Sequence, residues 1–291
     1  MFSKKILCVG EILWDSLPAG LFLGGAPFNV ACHLKMLGHN VKMLSKVGND
    51  TLGEQAIIRA ELKGIPLDYI QIDKKYKTGI VNVKLDKLGN AEYDIVKPAA
   101  WDFIELDNKI NNNFEFLIYG SLAQRNEISR KTIEELTSCG SVNIFDVNLR
   151  PPYISKEVIE KSLLIADIVK MNEDELKQIS GWFNLGDKFE QSLKKLVEKF
   201  NCKTVCITMG ANGSAIFNKN NLELHKGFNV FVKDTVGSGD AFLAAFLHGI
   251  INNKSNKDII EFANAVGAFV ASNNGATPAL NLDEINKIIK K

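Results

Sequence analysis

The chain has almost no excess charge of either sign. Its 35 Lys and Arg stand against 34 Asp and Glu, a net charge of +1 over 291 residues. No basic block stands out, so neither a nucleic-acid nor a membrane-surface partner is expected. Cysteine is sparse: five occur, at 8, 32, 139, 202 and 206, with no CxxC pair. No His or Cys near Cys202 and Cys206 completes a zinc set, so reduced core thiols are expected. The four histidines, at 33, 39, 225 and 248, form no triad or metal spacing and read as structural. No apolar run approaches the roughly 18 residues of a membrane span. The opening MFSKKILCVGE is too short in apolar residues for a signal peptide. Together these absences point to a cytoplasmic protein. Nucleotide fingerprints are missing as well. There is no GxxxxGK[ST], no GxGxxG after a strand, and no HRD paired with DFG.

Hydrophobic residues make up 46% and charged residues 24%, ordinary values for a globular protein. The length suits one large domain, taken here as 1–291 with small accessory segments. Short apolar runs alternate with helical patterns. KILCVG (5–10), VKMLSKVG (41–48), FEFLIYG (114–120), VNIFDVN (142–148), DIVKMN (167–172) and TVCITMG (204–210) read as strands. Most lack strict alternation, as in strands covered on both faces. Helices are expected at 27–37, 51–63, 127–138, 155–166, 187–200, 239–252 and 257–273. This order predicts a doubly wound, mostly parallel α/β sheet. The segment 78–96 alternates cleanly and predicts a β-hairpin turning at Leu88-Gly89-Asn90. Val81, Val83 and Leu85 are expected on one face, and Ala91, Tyr93 and Ile95 on another. The stretch 12–25 supplies a further strand. Both segments either form a small projecting sheet or pack at an edge of the main one.

The stretch DTVGSGD, 234–240, sits directly before the apolar run AFLAAFLHGII. In an α/β sheet, ligands bind where strands end and helices begin. Backbone N–H groups around Gly237-Ser238-Gly239 can converge on an anion there, and the following helix adds its positive end. Asp240 in the first turn is placed to accept a proton from a hydroxyl nucleophile. This is a phosphoryl-transfer site, or else an Asp-capped helix after a loop.

DTVGSGDAF resembles the C-terminal motif of the ribokinase-like (PfkB) sugar kinases, and GGAPFNVACHLKMLG (24–38) resembles their N-terminal motif. The likeness runs through essentially the whole chain: GE at 10–11, VGND at 47–50, DVNLR at 146–150, MNEDE at 171–175, TMGANG at 208–213 and NNGAT at 273–277. Within the family, GEILWD and DVNLRPP look most like fructokinases. The resemblance implies Asp240 as catalytic base and Gly237, Ser238 and Gly239 as the anion hole. It implies Asp15, Gly25 and Asn29 as holders of sugar hydroxyls. Asn172 and Glu175 match the NxxE element that organises magnesium and phosphates, with Glu175 acting on the metal indirectly. Thr208, Gly210 and Gly213 match the nucleotide turn, and Asn264 a position near the base. Asp234, with the backbone of Val236, Val270, Asn273 and Gly275, matches a monovalent-cation site, a place for potassium. Ala279 departs from it, standing where several members have serine.

Other readings of these residues stand beside the resemblance. Asp15 could bridge vicinal hydroxyls or be a solvated turn acid. Trp14 could stack on a sugar or belong to a core. Arg150, at a strand's C-terminal end, could bind a phosphate or sugar oxygen, or pair with Asp146. Asn172 and Glu175 could be a plain helix cap with first-turn acids. The expected function is an ATP- and Mg²⁺-dependent sugar kinase making fructose 6-phosphate. Segments 12–24 and 78–96 would form a lid, through which a homodimer could assemble. Ribose, 2-keto-3-deoxygluconate or a nucleoside are alternative acceptors. A non-catalytic sensor on the same fold is a further alternative, and a dinucleotide oxidoreductase lacks its fingerprint.

Overall fold

The computed structural model describes residues 4–17, 20–85, 91–107, 110 and 113–290. Residues 18–19 and the expected turn at Leu88-Gly89-Asn90 lie outside the described residues. The strands are β1 (Lys5–Val9), β2 (Leu13–Leu17), β3 (Gly20–Gly24), β4 (Asn40–Gly48), β5 (Ile70–Asp73), β6 (Gly79–Leu85) and β7 (Ala91–Ile95). They continue as β8 (Phe116–Gly120), β9 (Val142–Asp146), β10 (Ile168–Asn172), β11 (Thr204–Thr208), β12 (Ser214–Asn218) and β13 (Asn221–His225). The helices are α1 (Ala26–Met36), α2 (Thr51–Leu62), α3 (Glu127–Thr137), α4 (Lys156–Ile165), α5 (Glu173–Phe183), α6 (Phe189–Phe200), α7 (Ser238–Ile251), α8 (Asn256–Ala271) and α9 (Leu282–Ile289).

The large sheet has the order β13-β12-β11-β10-β9-β8-β1-β4-β5. It is parallel except for β12 and β13, which add as an antiparallel edge. The order of the parallel strands reverses at β1, which pairs with β4 on one side and β8 on the other. That reversal opens a crevice at the C-terminal ends of the strands, where ligands of such sheets bind.

The strands look continuously apolar because both faces are covered. Along β1, Leu7 and Val9 join the core beneath α3 to α6, while Ile6 and Cys8 join the core beneath α1, α7 and α8. The same period of two runs through β10. Val169 and Met171 face the first core, so Ile168 and Lys170 face the side of α7. A cation in so apolar a strand needs a partner, and it has one in the candidate site.

The second sheet has the order β3-β2-β6-β7. The hairpin is present, and 12–25 contributes two strands rather than one. Its register pairs Val81 with Ile95, both buried. Directly opposed positions lie on the same face of a sheet, so these two, expected on different faces, share one. Trp14 is a core residue: it is buried, donates Nε1–H to the Leu52 carbonyl at 3.0 Å, and lies under the Arg59 guanidinium. Cys8, Cys32, Cys202 and Cys206 are buried free thiols, but Cys139 is exposed after α3, where no core covers it. Helix α9 and strands β5, β12 and β13 were not expected, and α5 was anticipated only as a cap at Asn172 with first-turn acids. Among the described residues, no helix is long and apolar enough to cross a membrane.

Candidate active site

Two helix N-termini converge at the crevice. Helix α1 starts at Gly25, which holds φ +112°, and has Pro in its first turn. A Cβ on Gly25 would overlap the Glu11 carbonyl oxygen, so the helix enters directly against the end of β1. Glu11 Oε1 then accepts from Ala26 N at 3.3 Å. Helix α7 starts at Gly237, with φ +76°. Its first ladder bond is Ala241 N to Gly237 O at 2.9 Å, so the N–H groups of Gly239 and Asp240 precede the ladder and point out of the helix end. Ser238 differs from expectation. Its N–H and its hydroxyl both donate to Thr235 O, at 3.2 and 2.8 Å, which closes the turn instead of opening a third donor.

Asp240 and Asn29 come together from opposite ends of the chain. Asn29 Nδ2 donates to Asp240 Oδ2 at 2.8 Å. Burial pushes the half-buried Asp240 carboxyl up to about 6, and the nearby Asp146 charge adds to this. Lys170, the Asn29 hydrogen bond and Arg150 pull the other way. Asp15, on β2, is also raised to about 6 by burial, against the pull of Arg150. Its carboxylate lies against Gly24, where a Cβ would sit 2.8 Å from Oδ2. Asp15, Asn29, Arg150 and Asp240 are thus near enough to act on one another, with Gly25 at the start of α1 beside them and Arg150 exposed.

Sequence reasoning gave Glu11 and Lys170 no role in this cluster, and Asp146 only that of a partner for Arg150. Glu11 is 2% exposed, its Oε2 has no partner, and burial raises its carboxyl to about 7. Lys170 Nζ lies 3.0 Å from Asp146 Oδ1, so Asp146 pairs with Lys170 and not with Arg150. Arg150 instead donates to its own neighbour's carbonyl, Leu149 O, at 3.1 Å. Burial works against the Lys170 charge, but Asp146, Glu175 and Asp240 outweigh it and raise the ammonium above its usual range. A Cβ on Gly239 would lie 3.5 Å from that ammonium, which puts a permanent cation beneath the N-terminus of α7. The lone lysine in DIVKMN and the GE after β1 were the readable signals.

The expected nucleotide residues lie along the same sheet edge, from β10 to β12. Asn172 and Glu175 form the helix cap of α5. Asn172 Oδ1 accepts from Glu175 N, and Glu175 Oε2 from Asn172 N, each at 2.8 Å. Glu175 Oε1 accepts from Leu149 N at 2.8 Å, so both its oxygens hold backbone. Thr208 is the register partner of Asn172. Gly210 and Gly213 carry the next turn at φ +54° and +90°, and Gly213 packs on the His225–Gly227 backbone where a side chain would collide. Asn264 is buried on α8 and donates to Ser214 Oγ and Ile260 O, both at 2.7 Å. That leaves only its carbonyl oxygen for a ligand. Asp234 ties two segments together, accepting from Val236 N at 3.0 Å and Gly275 N at 3.1 Å. Val270 is buried, and Asn273 Nδ2 donates to Phe269 O at 2.7 Å.

Chemically, the arrangement offers a poised carboxylate, outward N–H groups with a buried cation behind them, and acids that can hold hydroxyls. Such a set suits transfer of an anionic group to an alcohol.

A family model for pfkB family carbohydrate kinases matches residues 19–282. The fructokinase of Escherichia coli is 28% identical, the match covering 96% of each chain. A double mutant of the Vibrio cholerae O395 fructokinase, solved with fructose, ADP and a potassium ion, superposes with a TM-score of 0.87 at 25% identity, covering 99% of this chain and 98% of that one. An uncharacterized sugar kinase of Pyrococcus horikoshii, solved with ATP, gives 0.82 at 29% identity, covering 98% and 99%. With a family model matched over residues 19–282, the chain belongs to the pfkB family of carbohydrate kinases.

Proposed function

We propose that this carbohydrate kinase transfers the γ-phosphoryl group of ATP to fructose, giving fructose 6-phosphate. One observation carries the chemistry: Asp240, raised to about 6, is held by Asn29 at 2.8 Å at the mouth of α7 with the Lys170 ammonium beneath. Ionised at neutral pH, Asp240 accepts the proton of the attacking hydroxyl. The N–H groups of Gly239 and Asp240 meet the transferring phosphoryl, and Gly237 shapes the turn that presents them. Asp15, Asn29, Gly25 and Arg150 hold the sugar. Thr208, Gly210, Gly213, Asn172 and the carbonyl of Asn264 line the nucleotide side.

One donor here suits a divalent ion that arrives with the nucleotide: Asp146 Oδ2 is buried without a partner beside Glu175, and phosphate oxygens would supply the rest. Magnesium bound with the nucleotide would neutralise phosphate charge there, with Glu175 acting through the backbone it holds. The Asp234 turn, with the backbone of Val236, Val270, Asn273 and Gly275, is the candidate place for potassium; a titration with K⁺ in Na⁺ buffer tests it. The four-stranded sheet bearing Asp15 acts as a lid that excludes water. Its edge strand β3 exposes Leu21 and Phe22, at 44% and 41%, which supports a homodimer through the lid, checked by sedimentation.

The relatives named fructokinases support fructose as acceptor. An acceptor panel with ATP, ranked by kcat/KM, should place fructose first. Higher values for ribose, 2-keto-3-deoxygluconate or a nucleoside would reassign the acceptor. Binding of sugar and ATP without ADP release would make the protein a sensor.

A further inference from the structure

Helix α1 carries two polar side chains one turn apart, Asn29 and His33, which therefore share a face. Asn29 reaches the Asp240 carboxylate. His33 Nε2 lies 3.0 Å from the Ala276 carbonyl oxygen, in the loop that follows α8. Ala276 is also what Gly237 packs against: a Cβ on Gly237 would sit 2.6 Å from Ala276 Cα and would overlap the same carbonyl oxygen. One carbonyl is thus gripped by His33 and walls the turn that opens α7. Next to it, Lys63 Nζ, from the end of α2, donates to Thr277 O at 3.0 Å.

A carbonyl only accepts, so His33 Nε2 carries the proton and Nδ1 is bare. That Nδ1 is buried without a partner, and the residue is 0% exposed. Burial also lowers the imidazole to about 4, which keeps it neutral. An unpartnered buried nitrogen costs stability that an apolar side chain of similar size would not. What the imidazole supplies in exchange is the bond to Ala276.

We infer that His33 and Lys63 are positioning residues for phosphoryl transfer: they pin the Ala276–Thr277 backbone, and through it the Gly237 turn, where the outward N–H groups of α7 meet the transferring group. Helix α1 then registers both sides of the reaction, the base through Asn29 and the wall of the cradle through His33. Neither His33 nor Lys63 is assigned to sugar or nucleotide. Releasing the loop should therefore misplace the cradle without emptying either binding site, and the loss should fall on kcat. This rests on the assignment of the α7 turn as the phosphate cradle.

The test uses the full chain, with ATP and the best acceptor of the panel. His33→Leu removes the donor and keeps the bulk. It should lower kcat about 10- to 100-fold at saturation, the scale of a small misplacement, with both KM values within about threefold. His33→Gln places an amide nitrogen near the lost Nε2 and should restore kcat to within about threefold of wild type. Lys63→Met should lower kcat about fivefold, and Lys63→Arg should recover it. Should His33→Leu fail to fold, the Lys63 pair decides on its own. Wild-type kcat in both His33→Leu and Lys63→Met, an equal loss in His33→Leu and His33→Gln, or a loss confined to KM would each overturn the inference alone. No sugar-dependent ADP release from the wild type would overturn the kinase reading, and this inference with it.

Discussion

Two glycines two residues apart at the mouth of α7 should respond to alanine in opposite ways. Gly237 holds φ +76°, which costs an alanine about 1–2 kcal/mol. Its new Cβ would lie 2.6 Å from Ala276 Cα and 2.7 Å from Ala276 Cβ, and relieving that overlap adds about 1–3 kcal/mol. Gly237→Ala should thus destabilise the fold by about 2–5 kcal/mol. Gly239 lies within α7 and is not among the positive-φ glycines. A methyl there would stand 3.5 Å from Lys170 Nζ, an ordinary contact. Gly239→Ala should therefore stabilise the helix by about 0.5–1 kcal/mol. On the proposed role of the α7 turn, the same methyl would crowd the side from which the phosphoryl group is received, so kcat should fall about 10- to 100-fold at saturating substrates. Urea unfolding and steady-state kinetics on the two variants measure both quantities. A folded Gly239→Ala protein with unimpaired kcat would show that the α7 turn does not receive the phosphoryl group. A Gly237→Ala protein as stable as wild type would refute the conformational reasoning.

Asp240→Asn keeps the shape and removes the base; kcat should drop by about 10²–10⁴ while calorimetry still detects sugar and ATP binding. That variant should also match or exceed wild-type stability above pH 6. A carboxyl whose folded value is raised destabilises the fold as pH climbs from its unfolded value to about 6, and asparagine escapes this; a lower urea midpoint at pH 8 would contradict it. With Asp240 as the proposed base, kcat/KM should fall about tenfold per pH unit below about 6 and level off above it, and a flat profile between pH 5 and 8 would exclude Asp240 from that role. Asp15→Ala should raise the sugar KM far more than the ATP KM, and equal effects would place Asp15 outside the sugar pocket.

Much of this architecture was legible in the chain itself. Alternating apolar runs and helical stretches specify a parallel sheet with helices on both faces, because each strand must bury both sides. The glycine-flanked DTVGSGD and GGAPFN mark two helix starts that need unusual backbone, and those are where the candidate site lies. The shortest or least apolar elements were not legible. β13 and α9 pack at the periphery, whereas the acid-rich start of α5 read as a helix cap and is one. Tertiary structure alone decided the partners. Lys170 and Asp146 stand on neighbouring strands but 24 residues apart, and Asn29 and Asp240 are 211 apart. His33 meets Ala276 across 243 residues. A sequence records which groups can ionise or donate; which of them share a low-dielectric space, and so shift one another's proton affinities, is settled only when the sheet order brings β1, β9, β10 and α7 to one edge.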